Sequence, residues 1–269
     1  MGLKDAAVLK EERGLLLARI ERRYKRFLAD VVLEDGRGAV AHCVNTGTMR
    51  SCWEPGDPVL LRVHADPRRK LKHTLVACDR GEAWVGVDTA APNELAFEAA
   101  RLDLLPGVPR LHELRREVRY GLENSRVDLH GLDAAGGAWF IEVKNTTLRE
   151  GPRVSFPDAV SARGAKHLRE LQAVAESGGR AVILFLVQRG DVEAFDAARA
   201  VDPVYAETLD RAVAAGVRAL PLQVQLEPDA EADGSWTLRW RLRGELPWVR
   251  VSCPDPGRPA AARKAGSGT

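Results

Sequence analysis

What this sequence lacks narrows it first. No apolar run approaches the roughly 20 residues needed to cross a bilayer, so a membrane span is not expected. The opening Met1-Gly2-Leu3-Lys4-Asp5 runs into charges, without the apolar core and cleavage site of a secretion signal. The four cysteines, Cys43, Cys52, Cys78 and Cys253, show no short paired spacing. Zinc held by Cys43, Cys52, Cys78, His64 and His73 would match no standard pattern, and reduced thiols in a cytoplasmic protein are the better reading. There is no Gly-x-Ser-x-Gly elbow, no Walker phosphate loop and no His-Glu-x-x-His, which removes the usual hydrolase, nucleotide-binding and metalloprotease signatures. Internal repeats are also missing.

What is present suits a globular chain. Of its 269 residues, 45% are hydrophobic and 29% charged, enough for one large or two small domains. The net charge of +2 is unevenly spread. Residues 1–80 hold 16 Lys and Arg against 11 Asp and Glu, a net +5, and the remainder holds 24 against 27. A basic amino-terminal part suggests a polyanionic partner.

Residues 1–13 are polar and read as a flexible extension. From Gly14 the pattern turns to β, with strands over Leu15–Arg22, Phe27–Leu33, Gly38–Val44, Val59–Val63 and Thr74–Cys78. Five short strands in under 80 residues predict a small β-barrel of OB type over 14–84. Such barrels bind single-stranded nucleic acid through aromatics flanked by cations. The candidates are Arg22, Arg23, Lys25, Arg26, Phe27, Trp53, Arg68, Arg69, Lys70 and Lys72. For each aromatic taken alone a core position is the better reading, whereas the two basic clusters together are expected to contact phosphate.

Residues 85–250 alternate helices and strands, which predicts an α/β unit around a mixed central sheet. Pro92-Asn93-Glu94 opens an amphipathic helix. A second helix covers Ser161–Ser177, a third Pro203–Ala215. Arg180–Gln188 is a continuous apolar run, expected as a strand buried on both faces. Val217–Leu226 and Trp236–Arg243 form a closing pair, and 253–269 reads as a flexible tail.

The chemistry gathers at Trp139-Phe140-Ile141-Glu142-Val143-Lys144. Its aromatic and β-branched residues predict a strand, on which Glu142 and Lys144 share a face. Ser125-Arg126-Val127-Asp128-Leu129 is a second strand, and a hairpin centred on residue 135 sets Asp128 across from Glu142. Two carboxylates beside a lysine suit Mg²⁺ or Mn²⁺ and phosphodiester hydrolysis. Asp128 and Glu142 are the expected ligands, and Lys144 the cation that orients water and stabilises the transition state. Glu117 is placed at a second metal or at the water. Arg126, Lys166 and His167 are candidates for holding phosphate, and Gln188 for supporting the site from the side.

With these residues named, the chain resembles the sugar fermentation stimulation protein A (SfsA) family of DNA/RNA nucleases. The likeness runs from about Gly14 to Val217. It rests on Arg23–Asp30, Ala41–Met49, Glu117–Gly121, Ser125–Asp128, Glu142–Leu148, Phe156–Val160 and Arg163–Leu171, with Asp202-Pro203. Val44 and Asp88 depart from the family's Pro and Asn. The resemblance implies an OB-like domain followed by a PD-(D/E)XK nuclease-like domain. Asp128, Glu142 and Lys144 then fill the D, E and K positions, Val127 replaces the usual Pro, and Glu117 is the extra upstream glutamate. DNA, RNA or both are the implied partners. The family's name also implies an alternative, a non-catalytic DNA-binding regulator of sugar (maltose) metabolism genes. No feature of the sequence sets an oligomeric state.

Overall fold

The computed structural model describes residues 6–121 and 125–250. The chain runs β1 (Val8–Tyr24), β2 (Leu28–Leu33), β3 (Gly38–His42), β4 (Pro58–Val63), β5 (His73–Asp79), β6 (Trp84–Gly86), α1 (Ala91–Arg101), β7 (His112–Tyr120), β8 (Ser125–Leu132) and β9 (Ala138–Thr146). Then come β10 (Leu148–Glu150), β11 (Arg153–Phe156), α2 (Ala162–Glu176), β12 (Arg180–Val187), β13 (Ala194–Ala197), α3 (Pro203–Ala214), β14 (Arg218–Ala230) and β15 (Trp236–Glu245).

The first five strands close in the order β1-β2-β3-β5-β4-β1, the connectivity of an OB barrel. Alternate residues point inward, so Ile20, Val31, Leu61 and Leu75 fill one core together with the thiols of Cys43, Cys52 and Cys78. Burial pushes these thiols up, most strongly at Cys78, so they behave as small core groups.

A mixed sheet follows. β12 pairs in parallel with β9 and β14, while β7–β8, β8–β9 and β14–β15 are antiparallel. All but the first residue of β12 are buried, because α1 covers one face of the sheet and α2 with α3 cover the other. Mixed α/β architecture with an amino-terminal OB barrel is therefore what the chain adopts. The short β10, β11 and β13 form a separate small sheet that the sequence pattern did not signal.

β1 corrects the expectation of a flexible 1–13 from Val8 on, while residues 1–5 lie outside the described residues. Residues from Val8 onward pair with β15, Val8 opposite Arg241 and Glu11 opposite Arg239. Leu9 is buried, and the polar residues that suggested mobility are committed to ion pairs. Lys10 Nζ meets Glu94 Oε2 at 2.5 Å, and Arg239 Nε meets Glu11 Oε2 at 2.8 Å. The expected tail at 253–269 lies outside the described residues.

The loop Asn45–Ser51 docks the barrel on the second unit. Thr48 donates through N and Oγ1 to Asp158 Oδ2, at 2.7 and 3.0 Å. A Cβ on Gly47 would stand 2.6 Å from that oxygen, so only glycine allows the approach. Arg189, 1% exposed, donates to the carbonyls of Ser51 and Thr147 and grips Asp191 with both arms of its guanidinium.

Candidate active site

Leu129 faces Ile141 in the β8–β9 ladder, and the same register sets Asp128 against Glu142, as the hairpin expectation required. On the other side Arg116 faces Leu129 and Val118 faces Val127, which sets Glu117 against Asp128. Three acidic residues thus fall in one row across β7, β8 and β9.

Strict alternation fails at this row. Val127 packs into the core under α2, yet Leu129, two residues on, packs into the core under α1. On β7, Arg116 lies over the Phe97 ring of α1 while Val118 joins the α2 side. Glu117 between them has φ +55°, a left-handed value that non-glycine residues rarely take. Both strands change face at Glu117 and Asp128. A side chain at such a kink is re-aimed from the usual perpendicular. Asp128 accordingly reaches toward its neighbouring strand, where Oδ2 accepts from Val143 N at 2.7 Å. Its Oδ1 accepts from Asn93 Nδ2 at 2.8 Å. Burial, followed by the Glu142 charge, pushes its carboxyl up to about 6.

Glu142 is 2% exposed and faces α2. Its Oε1 accepts from Lys144 Nζ at 2.5 Å and from His167 Nδ1. Arg163 Nε approaches His167 Nε2 at 3.4 Å, an arrangement that puts the imidazole proton on Nδ1. Burial alone would raise the Glu142 carboxyl. The His167 hydrogen bond and the Lys144 charge outweigh it, and the net direction is down. Glu142 is thus ionised while Asp128 titrates closer to neutrality. Behind them, burial raises the Tyr120 hydroxyl, and the Glu142, Glu170 and Asp128 charges raise it further.

α2 is capped by Ser161, whose Oγ accepts from Gly164 N at 3.0 Å. That cap fixes the helix start, and helical spacing then places His167 and Glu170 on one buried face. Glu170 packs against Gly121, which takes φ +70° and whose Cβ would lie 2.6 Å from Glu170 Oε1.

Glu142 Oε2 is buried and has no hydrogen-bond partner among the described residues. No three His, Cys, Asp or Glu groups form a ready-made metal cage among them. Mg²⁺ needs only one or two carboxylates and otherwise keeps its waters, so an unpartnered Glu142 oxygen beside Asp128 fits such a cation.

The remaining expected residues divide. Glu117 is aligned with Asp128, but its side chain is exposed. Lys166 lies half-buried beside His167. Arg126 belongs elsewhere: it stands opposite Arg119, and because Val127 turns toward α2, Arg126 points to the other side of the sheet from Glu142. Gln188 also serves another place. It is fully buried, donating to Asn145 Oδ1 at 3.0 Å and accepting from Trp240 Nε1 at 3.1 Å, and its backbone carbonyl receives Gly86 N. It joins barrel to sheet.

Among the basic candidates, Arg23 is taken up by structure, since its Nη2 donates to the carbonyls of Arg26, Asn45 and Gly47. Lys72 likewise braces its loop through the carbonyls of Asp66 and Pro67. Arg69 approaches His64 at 3.3 Å, and Arg22 and Arg68 pair with Asp30 and Asp66 but stay exposed. Lys25, Arg26 and Lys70 are exposed. Phe27, 47% exposed at the β1–β2 tip, is no core residue, whereas Trp53 packs partly into the barrel. Asn93, Tyr120 and Glu170 escaped sequence reading as site residues. The helix-opening Pro92-Asn93-Glu94 and the spacing of Glu170 three residues after His167 were the available signals.

Two family models match the chain. One, described as the sugar fermentation stimulation protein RE domain, covers residues 90–230, and one described as the SfsA N-terminal OB domain covers residues 22–87. A sugar fermentation stimulation protein homolog of Geobacter sulfurreducens is 46% identical over 217 residues, spanning 81% of this chain and 92% of that protein. A homolog from Rhodospirillum centenum is 47% identical over 216 residues, spanning 80% and 92%. The solved structure of Pyrococcus furiosus SfsA in complex with Ca²⁺ matches with a TM-score of 0.78 and 29% identity, over 91% of this chain and 100% of that one.

Proposed function

The chain belongs to the sugar fermentation stimulation protein family, and on that premise we propose that it is a divalent-metal-dependent nuclease hydrolysing phosphodiester bonds in DNA, RNA or both. The observation that carries this reading is the meeting of Asp128, Glu142 and Lys144 where Glu142 keeps a buried oxygen without a partner. Mg²⁺ or Mn²⁺ between the two carboxylates would supply an activated water and offset the charge that builds on phosphate. Ca²⁺ on the Pyrococcus relative supports a hard, oxygen-preferring cation here.

The chain's own groups do the rest. His167 and Lys144 hold Oε1 of Glu142, which leaves Oε2 as the oxygen that would hold a cation. Lys144, 13% exposed, keeps its ammonium in a low-dielectric place where charge on the transition state is stabilised strongly. Lys25, Arg26 and Phe27 at the barrel tip offer phosphate and base contacts.

The test is a cleavage panel over single- and double-stranded DNA and RNA with Mg²⁺, Mn²⁺ or chelator, run beside Lys144→Ala. Cutting that needs metal and disappears in Lys144→Ala, with nucleic-acid binding retained, is the expected result. Tight binding that ignores metal, without cutting under any condition, would favour the non-catalytic regulator.

A further inference from the structure

We propose that Asn93 is a positioning residue that aims the Asp128 carboxylate at the cation, and that the barrel holds Asn93 in place. The proposal rests on the metal-dependent reading of the same site.

Two donors fix Asp128. One is rigid backbone, Val143 N on β9, and the other is the Asn93 side chain from the first turn of α1, with Nδ2 at 2.8 Å from Oδ1. Asn93 therefore sets how the carboxylate is rotated about its last bond. An amide suits this task. It directs an oxygen without cancelling its charge, whereas a guanidinium in that position would compete with a cation. A carboxylate offers about four lone-pair directions, so two remain after both donors are served. The kink at Asp128 makes such a brace necessary, because a side chain that leaves the usual perpendicular loses the support of its row.

Asn93 is itself anchored to the barrel and to the half of β1 that pairs with β15. Its neighbour Glu94 meets Lys10 Nζ of β1 at 2.5 Å. Just before the helix, Asp88 meets Arg62 of β4 at 2.9 Å, and Arg62 also grips Glu12 of β1 at 2.5 and 2.8 Å. Beneath, Leu95, Ala96 and Ala99 share one core with Leu60 and Val76 of the barrel and with Ile141 and Val143 beside the site. The start of α1 is thus wedged between the two units, and the barrel has a second task besides contacting nucleic acid. It holds the brace of a metal ligand.

Calorimetric titration of the full chain with Ca²⁺ alone tests this, comparing wild type with Asn93→Leu, Lys10→Met, Arg62→Met and Asp128→Ala. Leu matches Asn in shape and lacks the donor. Asn93→Leu is expected to weaken Ca²⁺ binding by about 10- to 100-fold, the usual cost of losing a ligand's hydrogen-bond partner, with the denaturation midpoint little changed. Lys10→Met, remote from the carboxylate, is expected to weaken it by a smaller factor. Ca²⁺ affinity within twofold of wild type in Asn93→Leu, while Asp128→Ala abolishes binding, would overturn the proposal. Unchanged affinity in Asp128→Ala would instead overturn the metal reading beneath it. Should Asn93→Leu fail to fold, Lys10→Met and Arg62→Met carry the test, and wild-type affinity in both removes the anchoring of Asn93 by β1 and the barrel.

Discussion

At Asp128 burial and the adjacent Glu142 charge hold the carboxyl near 6, above its ordinary 3.8. Between those pH values the folded state binds more protons than the unfolded one, so stability falls as pH rises through that window. In metal-free buffer at pH 7.5, Asp128→Asn is therefore expected to stabilise the fold by about 1–2 kcal/mol, read from denaturant midpoints, while eliminating cleavage. No gain at pH 7.5 relative to pH 4 would show that Asp128 is not destabilising when ionised. On the proposed metal-dependent reading, metal binding by the free protein is expected to rise through about pH 6, because the ionised Asp128 would be the ligand. Much of this site was legible in the sequence. Glu142 and Lys144 share a face by simple alternation, and the hairpin count placed Asp128 correctly. The change of face at Glu117 and Asp128 was not legible, since nothing in a glutamate side chain announces a positive φ. Arg126 was misassigned for that reason, and Asn93, supplied by a distant helix, had no local signal.

Among the elements, the β1–β2 tip is a braced, exposed candidate for nucleic-acid contact. Lys25 and Arg26 take φ of 49° and 65°, and Arg23 fastens the carbonyl of Arg26 from behind. The two cations are thus presented by a braced turn with Phe27 exposed beside them. Lys25→Ala with Arg26→Ala is expected to weaken single-stranded nucleic-acid binding and to lower the slope of log affinity against log salt by about 1–2, measured by fluorescence anisotropy. Phe27→Ala is expected to cost about 1–3 kcal/mol of binding without changing that slope. An unaltered slope in the double variant would remove the tip from the phosphate path. The barrel strands, the three helices and β12 were readable from periodicity and turn residues. β10, β11 and β13 were not, because three- or four-residue strands are too short to show a period. Their pairing is set by the neighbouring chain rather than by their own sequence.

For the whole molecule, β1 decides how the parts are joined. Its first half belongs to the sheet beside β15, and its second half belongs to the barrel beside β2 and β4. Leu9→Ala, at a position that composition marks as an extension, is expected to destabilise the protein by about 2–4 kcal/mol. A change below about 0.5 kcal/mol, the usual range for exposed sites, would mean that the amino-terminal half of β1 carries no weight. Overall architecture, barrel first and mixed sheet second, was legible because each part has its own pattern. Their fusion through one strand was not, since Lys10, Glu11 and Glu12 find ion-pair partners 50 or more positions away, at Glu94, Arg239 and Arg62. That pairing also orders events during synthesis. The amino-terminal half of β1 leaves the ribosome well before its partner β15, with Val8 waiting for Arg241. The barrel can close before β15 is made, but one arm of its first strand stays open until β15 has emerged. A ribosome that stops before β15 leaves that edge bare, so an incomplete copy carries an exposed strand that chaperones and proteases can recognise.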